Sequence, residues 1–196
     1  MTLLSSNIKF KPYTIYLVSR GTKEKSGLIA EKFNLNDKFS THLGLGFFYN
    51  EKLTIYNVTD RKPKDQTALI IDSLETFVIE NASYLSVWEC KNNDEEFLKG
   101  LKLCRELYSK KISFDYTFDI SNEKKSYCSK FCNTILREMN SKKFDFEATS
   151  IELNEFYRKV LKKKNLIYYP IDFFQNNKYF KKIYEKKPHQ PAFIEQ

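Results

Sequence analysis

Residues 41–59, THLGLGFFYNEKLTIYNVT, constrain the fold more than any other stretch of the chain. Two runs rich in β-branched and aromatic residues, 41–50 and 53–59, flank Asn50-Glu51-Lys52, so the segment reads as a β-hairpin. Strand alternation puts His42, Gly44, Gly46 and Phe48 on one face, and Leu43, Leu45, Phe47 and Tyr49 on the other. A loop of two or four residues makes paired positions sum to an odd number. Asn57 then shares the face of His42, opposite either His42 or Gly44, and Thr59 has the same parity. A three-residue loop without a bulge sends Asn57 to the other face. Glycine inside a strand often marks the close approach of another group, so Gly44 and Gly46 are expected to leave room for a helix end against the histidine's face.

Around this hairpin, further strands are predicted at 13–19, 67–72 and 83–90, and helices at 23–33 and at 73–81 starting on Ser73. Asn93 followed three residues later by Glu96 signals a capped helix start. Phe97, Leu101, Cys104 and Tyr108 then recur at helical spacing as one buried stripe. A second helix spans 126–139 with Ser126 as N-cap, and Phe131, Ile135 and Met139 on its apolar side. A third covers about 151–162, and residues 169–185 read as a short helix and a last strand. Strands and helices mix without βαβ alternation, so the class is α+β.

The chain of 196 residues is long enough for one domain with its own core, and 17 Phe and 13 Tyr point to a core of large rings. With 41% hydrophobic and 30% charged residues the composition is globular. Five Gly and five Pro exclude a low-complexity array. The start lacks the pattern of a secretory signal, and no apolar run reaches membrane length, so the reading is soluble and cytoplasmic. The net charge of +8 gathers in 158–165 and 178–188. Such a basic region is either a solvated face or an attraction for an anionic surface. No nucleic-acid motif accompanies it.

Four cysteines carry the question of chemistry: Cys90, Cys104, Cys128 and Cys132. They lack the paired short spacings of a structural zinc site, and His42 and His189 supply no second pair. Cys128 and Cys132 are one helical turn apart, where Cβ atoms lie ~5–6 Å from each other, against ~3.8 Å for a disulfide. Cys90, Cys104 and Cys132 read as core thiols. Cys128 falls in the first turn of its helix, where free N–H groups and the dipole favour an anion and lower a thiol pKa. A cysteine nucleophile needs a base. His189 sits in a Pro-flanked polar tail, which leaves His42. Asn57 is then a suitable group to fix the imidazole, as in Cys-His-Asn triads, with Thr59 a weaker alternative.

STHLGLGF, then a strand containing IYNV, and far downstream FDYTFDISNEKKSYCSKF together resemble the circularly permuted papain-like hydrolases of the YiiX/YebB type. These belong to the NlpC-like superfamily, which includes lecithin:retinol acyltransferase-like proteins. Members show His-Val-Gly-Ile and Tyr-Cys-Ser-Glu where this chain has His42-Leu43-Gly44-Leu45 and Tyr127-Cys128-Ser129-Lys130. Looser similarity extends over a core of about 13–184 within a single domain of 1–196. The resemblance implies a permuted papain-like (NlpC-type) fold with an antiparallel sheet packed on helices. It assigns Cys128 as nucleophile, His42 as general base and Asn57 as orienter, although relatives often carry Glu or His at the third place. Lys130, where relatives have Glu, is expected to face away from the chemistry.

The function implied is a cysteine amidase or peptidase acting through an acyl-thioester, with no metal or organic cofactor. Its substrate would be a small-molecule, peptide or lipid-like acyl compound. The alternatives are a lipid-directed thiol hydrolase or acyltransferase, helped to an anionic membrane by the basic C-terminal region, and a non-catalytic binding module on the same fold. Nucleic-acid binding through net charge alone ranks last.

Overall fold

The computed structural model describes residues 8–22, 32–60, 67–78 and 81–188. The helix expected at 23–33 lies almost wholly outside these residues, and so does His189. In chain order the first elements are β1 (Thr14–Thr22), β2 (His42–Tyr49), β3 (Lys52–Val58), β4 (Leu69–Asp72), helix α1 (Leu74–Phe77) and β5 (Ala82–Cys90). Then come α2 (Asp94–Ser109), β6 (Ser113–Phe114), β7 (Lys125–Ser126) and α3 (Cys128–Met139). The chain continues through β8 (Thr149–Glu152), α4 (Glu155–Leu161), β9 (Asn165–Tyr168) and β10 (Phe180–Lys186).

Six strands form one antiparallel sheet in the order β10-β5-β1-β2-β3-β4. Strands β6 and β7 make a short parallel pair, and β8 and β9 an antiparallel one. The class is therefore mixed α+β. At the hairpin, Tyr49 pairs with Lys52 and the two loop residues, Asn50 and Glu51, have φ of 49° and 61°. Two successive positive φ values are the mark of a type I′ turn, whose twist suits a two-residue hairpin. The odd-sum register follows, with Gly44 opposite Asn57.

The sheet is covered on both sides. Ile15, Leu17, Leu43, Leu45 and Phe47 pack under α2 and α3, against Phe97, Leu101, Cys104, Phe131, Cys132 and Ile135. Tyr16, Val18, Leu53, Ile55, Leu85 and Val87 pack on the other side against Phe77 of α1. Strand β1 is thus apolar on both faces, which is why 13–19 reads as an unbroken hydrophobic run. Each fully buried Phe or Leu in these layers contributes about 1.5–3 kcal/mol.

Several expected boundaries shift. The stripe of α2 holds at Phe97, Leu101 and Cys104, but Tyr108 is 37% exposed and Leu107 packs on the core instead. A phenol needs a polar partner when buried and leucine does not. Residues 151–152 belong to β8, and α4 starts only after Asn154, whose side chain accepts from the Tyr157 N–H. Between 170 and 180 the chain makes successive i→i+3 turns rather than a helix. Asp172, inside that stretch, directs its carboxylate to the N–H groups of Leu35, Asn36 and Asp37. Ser126 is not the cap of α3: it pairs in β7 with Phe114, its hydroxyl donates to the Tyr127 carbonyl, and Tyr127 takes the N-cap position. Among the described residues no helix is long and apolar enough to cross a membrane.

Candidate active site

Helix α3 begins without a side-chain cap. Tyr127 is the N-cap residue with extended backbone, and no acidic side chain sits in the first turn. The Tyr127 phenol is committed elsewhere, accepting the Tyr169 N–H at 3.0 Å. The first N–H groups of the helix therefore find no acceptor in the N-cap side chain, and Cys128 is its first residue. All four cysteines are free thiols, and Cys90, Cys104 and Cys132 are buried.

Burial pushes the Cys128 thiol above its ordinary pKa, although the backbone amides of Leu43 and Ser129 and the charge of Arg20 pull it down. This corrects the expectation that the helix start alone would yield a low-pKa thiol. In this setting desolvation is the largest influence on the thiol and outweighs those amides and Arg20. The Leu43 amide beside the sulfur belongs to the residue next to His42.

His42 opens β2, paired across the sheet with Arg20. Its Nε2 lies 2.9 Å from Asn57 Oδ1, and Asn57 Nδ2 donates to Asp72 Oδ2 at 2.9 Å. The roles follow from chemistry. A carboxylate only accepts, so the Asn57 edge facing Asp72 is the NH₂, and the edge facing His42 is the carbonyl oxygen. His42 Nε2 therefore donates in this bond. Phe77 stacks on the imidazole with ring centroids 5.6 Å apart, and the Arg20 guanidinium sits 5.3 Å from the centre of the same ring.

Gly44 serves a different neighbour from the one expected, and Gly46 faces Leu53 and Ile55 of β3. A Cβ on Gly44 would come 2.6 Å from Ile55 Cγ2 and 2.9 Å from Phe77 Cε2. The room on the histidine's face is thus filled by Phe77 of the short α1, while α3 packs on the opposite face with Leu43 and Leu45. Cys128 and His42 reach a common space at the end of the sheet, where both line one cavity of about 430 Å³.

Rings from five segments wall that cavity: Phe33; Phe114, Tyr116 and Phe118; Tyr127; Tyr157 of α4; and Tyr168 and Tyr169. Arg20 is the one lysine or arginine among its described lining residues. Thr59 lines it as well, but the partner of His42 Nε2 is Asn57. The aromatic loop is held from beneath. Asp115, fully buried, accepts from Thr117 N–H, the Thr117 hydroxyl and Asp119 N–H. Lys130, facing away from Cys128, donates to the carbonyls of Asp119, Asn122 and Lys125. Lys163 donates to the Thr117 carbonyl at 3.0 Å and ties the turn after α4 to this loop.

Sequence reasoning named Cys128, His42 and Asn57, and the structure brings His42 and Asn57 into contact and sets Cys128 on the same cavity. It missed Arg20, Asp72 and the aromatic wall. A charge inside the apolar run YTIYLVSRGT, and an acid closing TALIID, were the available signals. Among the described residues no three His, Cys, Asp or Glu side chains come together as a group able to hold a metal ion.

No protein-family model and no curated protein matches the sequence. Among solved structures, the chain is similar to the crystal structure of the metalloprotein YiiX from Escherichia coli O157:H7, DUF1105. The TM-score is 0.67 at 11% sequence identity, over 91% of this chain and 100% of that one. At such identity the likeness is one of fold, and the chain has a YiiX-like fold.

Proposed function

We propose that this chain is a cysteine-dependent hydrolase on a circularly permuted papain-like scaffold, cleaving an amide or ester bond of an apolar acyl group. The observation that carries the reading is that His42, hydrogen-bonded to buried Asn57, and Cys128 line one ring-walled cavity. In the first step the Cys128 sulfur attacks the carbonyl carbon while His42 Nδ1 takes the thiol proton. The backbone N–H of Cys128 at the uncapped helix start donates to the oxyanion, and the Arg20 charge favours the same anionic forms. Collapse expels the amine or alcohol, which takes the proton from His42, and leaves an acyl-thioester. Water, deprotonated by Nδ1, then releases the acid and the free thiol.

The cavity supports an apolar acyl group because its wall is mostly aromatic and aliphatic, with Leu161, Leu166 and Ile171 between the rings. YiiX of E. coli is described as a metalloprotein. Here Cys128, His42 and Asp60 line the cavity, and among the described residues no three His, Cys, Asp or Glu side chains come close enough together to hold a metal ion. The donor set does not fit a metal centre, and no step is routed through one.

The test is acyl-enzyme trapping. The protein is mixed with p-nitrophenyl esters of increasing chain length and Cys128 is followed by mass spectrometry. An acyl adduct on Cys128, lost in Cys128→Ala, slowed in His42→Ala and faster with longer chains, is expected. Absence of any adduct, or an adduct indifferent to His42, would leave a binding module as the better reading.

A second reading, action at an anionic lipid surface, rests on the cavity rim. Exposed Phe156 and Val160 lie on α4, beside exposed Lys159, Lys162 and Lys164. Co-sedimentation of Cys128→Ala with vesicles with and without anionic lipid at low salt checks it, and equal failure on both kinds rejects it.

A further inference from the structure

We infer that Asp72 is a positioning residue of this site, which selects the reactive tautomer of His42 through the amide of Asn57. The inference rests on the hydrolase reading for its purpose and on geometry for its content.

An asparagine amide is ambiguous. Rotated by half a turn about its last bond, Asn57 would present Nδ2 to His42 and draw the ring proton onto Nδ1. That is the nitrogen which has to accept a proton from Cys128. Asn57 is only 1% exposed, so water cannot satisfy either edge, and both must find partners inside the protein. Asp72 removes the ambiguity because its carboxylate accepts and never donates. The flipped amide would set Oδ1 against that carboxylate, oxygen against oxygen, and lose the hydrogen bond to Asp72. An asparagine at position 72 could present either edge and would select nothing.

The placement is specific. Asp72 is the last residue of β4, opposite Ile55, while Asn57 pairs with Ile70, so the two side chains meet on the diagonal of one sheet face. Ser73 follows at once as the N-cap of α1, and its capping box with Thr76 fixes where the strand ends. A charge on an edge strand often serves only to block pairing with another chain. Such a residue points to solvent, whereas Asp72 turns its oxygen inward to a buried amide at 2.9 Å.

The experiment reads the proton directly. The chain has two histidines, so ¹⁵N-labelled protein above the imidazole pKa of ~6.5 gives a simple ring spectrum. Wild type is expected to show His42 as the Nε2–H form. Asp72→Ala is expected to give a mixture with Nδ1–H and to slow iodoacetamide alkylation of Cys128 about 10-fold, a part of the about 10²–10⁴ a general base supplies. The exchanged pair Asn57→Asp with Asp72→Asn moves the carboxylate next to the ring. It is expected to restore both the Nε2–H form and the alkylation rate, an outcome that a merely structural role for Asp72 would not produce. A pure Nε2–H signal in Asp72→Ala, or a folded exchanged pair that restores neither readout, overturns the inference. If His42→Ala leaves alkylation unchanged, the hydrolase reading fails instead, and the tautomer spectrum still decides the role of Asp72.

Discussion

Helices α2 and α3 pack on the same face of the sheet, yet their first turns are built in opposite ways. At α2, Asn93 accepts from the Glu96 N–H while Glu96 accepts from the Asn93 N–H, and Asp94, Glu95 and Glu96 all complement the dipole. Glu96 is further held by Lys143 at 2.7 Å and Asn140 at 2.7 Å. At α3 there is no cap bond, no acid, and a cysteine in the first position. One helix start is satisfied internally and adds stability. The other leaves its donors for something outside the helix, and it does so at the mouth of a cavity. A gap in local stabilisation beside a pocket is a mark of function.

The largest expected effect separates the two directly. His42→Ala should lower acylation of Cys128 by about 10²–10⁴-fold, with a loss of about 1–3 kcal/mol in stability because Asn57 Oδ1 loses its partner. Next, Glu96→Ala should cost about 2–3 kcal/mol, because it removes the partner of Lys143 and Asn140 and opens the capping box, and should leave Cys128 reactivity untouched. Burial raises the Glu96 pKa, but the bonds from Lys143, Asn140 and the Asn93 N–H outweigh it and hold the group below its usual range. Its stabilisation is therefore present above the unfolded value of ~4.3 and lost as pH falls through the lower folded value. Acid titration of unfolding in wild type and Glu96→Gln checks that window.

Gly44→Ala should cost about 1–3 kcal/mol through overpacking against Ile55 and Phe77, and should also disturb alkylation because Phe77 braces His42. Asn93→Ala removes one cap and should cost about 1 kcal/mol by denaturant unfolding. Smallest of all, Cys128→Ala should change stability by less than about 1 kcal/mol, since the side chain borders a cavity. The wild-type alkylation profile sharpens the comparison further: its midpoint should not fall below the ~8.5 of a free thiol. A midpoint well below that would mean that the helix start prevails over burial.

Much of this architecture is written locally. The capping pattern Asn93-x-x-Glu96 fixes the start of α2 because its partners are three residues apart. The parity of the 41–59 hairpin carries Asn57 to the face of His42 once the loop length is two. Position 128 lies in a first helical turn whichever residue caps it. What failed were inferences that needed a neighbour from elsewhere. Ser126 has the chemistry of a cap, but β7 pairing with Phe114 claims it. Tyr108 has the spacing of a core residue and remains half out.

By itself, then, the sequence determined the α+β class and the hairpin and singled out Cys128, His42 and Asn57 as candidates, because periodicity, turn chemistry and residue type act over a few positions. Only the tertiary structure decided that Arg20 reaches the same cavity and Asp72 the amide of Asn57, that rings from distant segments wall that cavity, and that burial raises the Cys128 thiol pKa. Desolvation and the choice of an amide's edge depend on everything packed around a group, and no short stretch of chain contains that information.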